Sequence, residues 1–272
     1  MSAMRPSGLH VNKPVIFAFL AVAVIIFLAY RHLSSSSMAS DAVVLSIETL
    51  KAVPELTEEE EKTLQKEAKE IDIKVGDTVV KIHVEQVVRG SNPKLDVLFL
   101  HGASFSSQNW LKIKSPEYVA SWGYRAIAID LPGKNKSPTG LSLSSQGKFL
   151  DAFISTLEMK NIVIISPSAS GNYALPYLFN DTNSSRDNVR GFVPVAPVGT
   201  SQFREKYAAS KVQTLIVYGS KDTERASVFL PDLKLIPNHT VAKIEDAGHA
   251  CYLDKPADFH RVLFHFLKNL AA

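Results

Sequence analysis

The chain has 272 residues, 46% of them hydrophobic and 21% charged, with a formal net charge of +3. That length and composition fit one globular domain with a large core, and without a basic stripe interleaved with aromatics nucleic-acid binding is not expected. The single cysteine, Cys251, excludes an intrachain disulfide but does not fix the compartment, because a large core needs no disulfide.

The first feature along the chain is Val15 to Tyr30, an apolar and aromatic run without charge. As a helix rising ~1.5 Å per residue it reaches about 24 Å, just under the ~30 Å hydrocarbon core of a bilayer. Arg5, Lys13 and the amino terminus precede it and Arg31 follows, so the positive-inside rule favours a cytoplasmic N-terminus. The run is longer than a typical signal-peptide core. Residues 1–33 are therefore expected to be a cytoplasmic tail and signal anchor of a single-pass type II membrane protein, with the folded domain lumenal or extracellular. Cleavage within Ser34–Ser40, for example after Ala39, gives a secreted protein as the alternative. Asn-x-Ser/Thr triplets at Asn180, Asn183 and Asn238 agree with that placement and are candidate glycosylation sites; a fourth, at Asn135, is made less attractive by Pro138.

Residues 34–70 read as a linker and a charged helix. Thr57 and Glu60 form a capping box, and early Glu with later Lys suits the dipole of a helix over 57–69. From 71 to 272 one domain is expected. Ile71–Val75 and Thr78–Val88 pair around Gly76-Asp77 as a hairpin. Strands and helices then alternate, which predicts a mostly parallel central sheet with helices on both faces, an α/β fold. Leu95–Leu100 is a buried strand followed by His101-Gly102-Ala103-Ser104. Helices are expected over Pro116–Trp122 and Ser142–Glu158, and Ala126–Ile129 is a strand leading into Asp130-Leu131-Pro132-Gly133.

The β-branched run Asn161–Ile165 stops at Ser166-Pro167-Ser168-Ala169-Ser170-Gly171, and a helix follows from Asn172 to Phe179. Strand, tight turn around a serine, then helix is the context of the nucleophile elbow in α/β-hydrolases, here with serines in place of both usual glycines. The residue after the nucleophile must lend its backbone N–H to the oxyanion. Pro167 has none, which disqualifies Ser166. Ser170 is followed two positions later by the bulky Asn172, whereas Ser168 has small residues two before and two after it. Ser168 is the candidate nucleophile.

The strand Val189–Ala196 and a helix near Ser201–Ala209 leave little room for an inserted lid. The site is expected to be open, with Phe105, Trp110, Pro197, Val198 and Tyr252 on the short loops around it and no substrate role assigned to them. Val212–Gly219 is a strand ending before Asp222; Thr240–Ile244 is a strand ending before His249; Pro256–Leu270 closes the chain as a helix. Ser, Asp, His is the chain order of the triad in this fold. Asp222 would fix the imidazole tautomer and His249 would act as general base, with Asp232, Asp246 and Asp254 as weaker rivals for the acid. The backbone N–H groups of Ala103 and Ala169 are the candidate oxyanion donors. His101 is expected to hold its loop and Asp130 to be structural. Cys251 as nucleophile would leave the elbow unexplained.

The segments HGASFSSQNW, AIDLPG, IISPSASGNYALPYL, VYGSKD and DAGHACYLDKP resemble those of the α/β-hydrolase domain-containing protein 14 family, over roughly residues 70–272. The resemblance implies a Ser168/Asp222/His249 triad on a compact α/β-hydrolase core, and ester hydrolysis or acyl-group removal, since one branch of that family is associated with deacylation. The expected activity is a membrane-anchored serine hydrolase that cleaves acyl esters or amides through an acyl-enzyme, acting on a small acyl substrate or an acylated peptide. An acyltransferase with a thiol acceptor such as coenzyme A, and a non-catalytic hydrolase-fold interaction protein, are the rival readings. With neither H-E-x-x-H nor G-x-G-x-x-G in the chain, no metal or cofactor is expected.

Overall fold

Strands and helices alternate through the computed structural model, which describes residues 44–180 and 186–272. The strands are β1 (Val44–Leu45), β2 (Gln65–Val75), β3 (Thr78–Val88), β4 (Asp96–Phe99), β5 (Arg125–Ile129), β6 (Ile162–Pro167), β7 (Val189–Val195), β8 (Gln213–Gly219) and β9 (His239–Ile244). The helices are α1 (Glu58–Lys62), α2 (Ser107–Lys112), α3 (Ser115–Ser121), α4 (Gln146–Thr156), α5 (Gly171–Phe179), α6 (Arg204–Tyr207), α7 (Thr223–Leu233), α8 (Cys251–Asp254) and α9 (Pro256–Ala271). Among the described residues the strands form one sheet in the order β1-β9-β8-β7-β6-β4-β5-β3-β2. β3 runs antiparallel to β2 and β5, and the other neighbours are parallel. Parallel neighbours need crossovers, and α helices supply them.

Burial on both faces explains the composition of the middle strands. Val97, Leu98 and Phe99 of β4 and Ile162 to Ile165 of β6 are all fully buried, so these strands are continuous apolar runs rather than alternating ones. Each such side chain contributes roughly 1.5–3 kcal/mol by leaving water. One face packs against Trp110, Val119, Phe259 and Leu263. Elsewhere α4 and α5 bury Phe149, Phe153, Leu175 and Tyr177, with Phe149 and Tyr173 edge to face at 5.9 Å. Gly147 permits the close crossing of these two helices: a Cβ there would sit 3.0 Å from Pro176.

The charged segment differs from its expected form. The capping box is present, since Glu60 N–H donates to Thr57 Oγ1 and Thr57 N–H donates to Glu60 Oε2, both at 3.2 Å. The helix nevertheless ends at Lys62, and Gln65 to Glu70 pair with His83 to Val88. Six cross-strand positions outweigh the favourable helix propensity of this segment, because a short isolated helix is marginal in water. Lys and Glu on this edge strand also guard it against pairing with other chains. The sheet thus begins before residue 71, and β1 adds a further pair with β9.

The membrane assignment is corrected. Val15–Tyr30 and Ser34–Ser40 lie outside the described residues, and among the described residues no helix is long and apolar enough to cross a membrane. The longest, α9, has 16 residues and carries Asp258, Arg261 and Lys268. The single-pass type II reading, its lumenal domain and the secreted alternative are withdrawn. Asn180 and Asn238 are exposed, and Asn183 lies outside the described residues. Ser137 of the Asn135 triplet is buried, its hydroxyl donating to Asp130 O at 2.8 Å. With the lumenal placement withdrawn, these triplets carry no glycosylation assignment.

Between β7 and β8 there is only a 3₁₀ turn, Thr200–Phe203, and the four residues of α6, so no lid is inserted. Asp232 of α7 ties this stretch down by accepting from Thr200 Oγ1 at 2.7 Å and from Arg204.

His260 of α9 is buried 2.8 Å from Ser115 Oγ. Burial pushes its pKa down from the ordinary 6.5 to about 4. The folded state therefore favours neutral imidazole: its contribution is complete above pH 6.5 and is lost as pH falls toward 4. A shift of that size corresponds to about 3 kcal/mol. Denaturant titrations between pH 7.5 and 4 are expected to show a shallower acid loss for His260→Gln than for the wild type; parallel profiles would refute this.

Candidate active site

β6 delivers Ser168 to a sharp turn. Ser168 has φ 50°, a left-handed conformation that costs a non-glycine residue on the order of 1–3 kcal/mol and persists where surrounding structure enforces it. The chain then makes a 3₁₀ turn, Ser168–Ser170, and enters α5. Ser166 and Ser170 take the positions usually held by glycine, and both are fully buried. Their hydroxyls lie 3.0 Å apart, and Ser170 Oγ donates to Pro167 O at 2.8 Å, so the interior accepts them without an orphaned hydroxyl. Gly171 remains a glycine because a Cβ there would collide with Val198 O. The loop after β7 packs on the elbow at that point, and Val198 N–H donates to Ser168 O at 3.0 Å.

Two further strand ends bring the partners. His249 Nε2 lies 2.9 Å from Ser168 Oγ, and His249 Nδ1 lies 2.7 Å from Asp222 Oδ2. The Asp222 side chain is 5% exposed, and its other oxygen accepts from Arg225 Nη1 at 3.1 Å. The histidine loop is fastened by Lys221 N–H to Ala247 O at 2.9 Å, Asp246 N–H to Ser220 Oγ at 2.9 Å and Gly248 N–H to Asp254 Oδ2 at 2.7 Å. The rival acids are engaged elsewhere: Asp246 is exposed beside Lys221, Asp254 holds Gly248, and Asp232 anchors Thr200 and Arg204.

Three positions here escaped sequence reasoning. Arg225 was detectable from its i+3 spacing to Asp222. Asp254 entered only as a rival acid. Gly219 matters because a Cβ would strike Gly248 O and Ala247 O; only glycine lets the histidine loop cross the end of β8. Gly219→Ala is expected to lower kcat/KM about 10²-fold, the scale of an ångström of misplacement, with circular dichroism unchanged. Wild-type activity in a folded variant would refute the argument.

His101 is 1% exposed. Its Nδ1–H donates to Gly102 O at 2.8 Å and its Nε2 accepts Leu131 N–H at 2.9 Å, which requires the neutral ring; burial likewise lowers its pKa. His101 thus holds the loop, as expected, and Asp130 is structural, accepting Ser107 N–H at 2.8 Å and Lys136 N–H at 3.0 Å. The same loop abuts the elbow: a Cβ on Gly102 would lie 3.6 Å from Ser168 Cβ. Neither Ala103 N–H nor Ala169 N–H donates within the described turns and loops, and both residues line a cavity of about 300 Å³. A larger cavity, about 770 Å³, sits by Val189 and Gln213, the opening residues of β7 and β8. That is the wrong end, since ligands of such sheets bind beyond the carboxyl ends of the strands.

Cys251 is fully buried, and burial pushes its thiol up to about 12, which leaves no thiolate for nucleophilic attack near neutral pH. Trp110 and Tyr252 are core residues stacked at 4.3 Å, whereas Val198 stays 39% exposed beside the elbow.

No family model matches the chain. Rat "Putative protein-lysine deacylase ABHD14B" is 44% identical over 188 residues, covering 67% of this chain and 87% of that protein. Mouse "Protein ABHD14A" is 41% identical over 181 residues, covering 65% and 72%. In fold, the chain is similar to a predicted CIB-like hydrolase from Thermoplasma acidophilum, with a TM-score of 0.63, 24% identity, and coverage of 75% of this chain and 100% of that one. With the α/β-hydrolase sheet in place and relatives at this identity spanning most of their own length, the chain belongs to the α/β-hydrolase domain-containing protein 14 family.

Proposed function

We propose that the chain is an esterase- or deacylase-like serine hydrolase that removes acyl groups through a Ser168–His249–Asp222 triad. The observation that carries this reading is the hydrogen-bonded chain from Ser168 Oγ through His249 to Asp222, at 2.9 and 2.7 Å, on a residue with φ 50°. His249 Nε2 takes the Ser168 proton as Oγ attacks the acyl carbon. The developing oxyanion meets Ala103 N–H and Ala169 N–H, fixed donors in a site where such groups act most strongly. His249 then returns the proton to the leaving oxygen or nitrogen. Water, activated by the same imidazole, attacks the acyl-enzyme and frees Ser168.

The rat relative's name points to acyl-lysine, and an amide on a protein side chain suits a lidless opening. A fluorophosphonate probe on one sample, and incubation of a separate unlabelled sample with acyl-lysine peptides read by mass, test the proposal. Covalent labelling at Ser168 in the first sample, and in the second conversion of acyl-lysine to unmodified lysine within the peptide with release of the free acid, are expected. A folded protein that neither labels nor cleaves, beside a control hydrolase that does both, would sink it.

A further inference from the structure

The cavity of about 300 Å³ next to the elbow has a defined side and a defined chemistry. Ala103 and Ala169 line it, but Ser168, Asp222 and His249 do not. The leaving atom must lie where His249 can protonate it, so the group that enters this cavity is the acyl substituent. Its size is at the low end for ligand pockets, which excludes a long alkyl chain.

Its polar lining is one-sided. Gln146 and Tyr173 line it, and Lys134 is exposed at its rim. No acidic residue lines the cavity, and Lys134 takes part in none of the ion pairs seen among the described residues. Gln146 opens α4 and Asn172 is the second residue of α5, helices of 11 and 9 residues, so two positive helix ends border the cavity. Gln146 is 9% exposed, and its Oε1 is sealed from solvent.

We propose that this cavity selects an acyl group ending in a carboxylate, that is, a short dicarboxylic monoacyl group such as succinyl. The inference rests on the serine-hydrolase reading. The distal carboxylate pairs with Lys134 beside the two helix ends, while the reacting carbonyl faces Ala103 and Ala169. In the reaction the Ser168 Oγ–acyl bond forms and the acyl–nitrogen bond breaks. The serine proton passes through His249 to the amine. Water then splits the ester, giving the free dicarboxylate and regenerated Ser168.

Peptides carrying Nε-succinyl-, Nε-butyryl- and Nε-(4-hydroxybutyryl)-lysine, all with four-carbon acyl groups, provide the test. The succinyl peptide is expected to exceed both others in kcat/KM by roughly tenfold, the scale of one charge-assisted hydrogen bond. In Lys134→Glu, a surface change that spares the core, the succinyl-to-butyryl ratio is expected to fall toward one or invert. A butyryl preference, equal rates for succinyl and 4-hydroxybutyryl, cleavage of none, or an unchanged ratio in Lys134→Glu overturns the proposal. Fluorophosphonate labelling of the wild type separates the two failures: labelling without a succinyl preference overturns only the acyl selectivity, and absence of labelling overturns the hydrolase reading as well.

Discussion

Replacing Ser168 by Ala is expected to lower kcat about 10⁶-fold, the scale for removing the nucleophile of a triad, and to abolish fluorophosphonate labelling. Stability should hardly change. The lost hydroxyl faces His249, whose side chain is 30% exposed, and alanine keeps the Cβ, so the left-handed turn is as strained as before. Such a change falls within about 0.5 kcal/mol. Ser166→Ala and Ser170→Ala are expected to behave in the opposite way. Each removes one member of the buried pair at 3.0 Å and leaves its neighbour with one partner fewer, at about 1 kcal/mol, while labelling persists. The three melting temperatures and three labelling rates together distinguish the serines. Labelling that survives Ser168→Ala but disappears in Ser166→Ala or Ser170→Ala would move the nucleophile and dismantle the assignment.

The choice among the three serines was legible in the sequence because it turned on local covalent chemistry. Pro167 has no N–H, so Ser166 cannot be followed by an oxyanion donor, and that argument needs no tertiary information. The strand ends at Gly219 and Ile244 were equally local, because apolar runs such as Thr214–Val217 change abruptly to polar residues there. The fastening of the histidine loop was not local. Asp254 reaches Gly248 only because α8 folds back, and Gly219 is essential only because Ala247 and Gly248 cross it. The charged segment failed for a related reason. Its cap was read correctly, but the competing partner, Val84–Val88 of β3, lies about twenty residues away, and a periodicity window does not weigh that pairing. The apolar N-terminal run was assigned from its hydropathy, length and flanking charges; it lies outside the described residues, and no described helix could take its place in a membrane.

Asp222→Asn is expected to lower kcat about 10⁴-fold while the fold is retained, because an amide at this position favours the wrong imidazole tautomer. Asp222 Oδ2 accepts the Nδ1–H of His249 at 2.7 Å, which leaves Nε2 bare to receive the Ser168 proton. An asparagine can present its NH₂ to Nδ1 instead. The ring proton then moves to Nε2, where it blocks the transfer from Ser168. The imidazolium formed during attack also loses its anion. Arg225 donates to the other Asp222 oxygen, but its side chain is 62% exposed, so Arg225→Ala should cost less than about tenfold in kcat, since exposed ion pairs contribute little. Asp246→Asn should be nearly silent, its carboxylate being 76% exposed. Asp254→Asn should fall between, because it weakens the hold on Gly248 without touching the ring. Kinetics of this series on one acyl substrate check the order. If Asp254→Asn or Asp246→Asn cost as much as Asp222→Asn, the acid of the triad would be misassigned, however short the contact between Asp222 and His249.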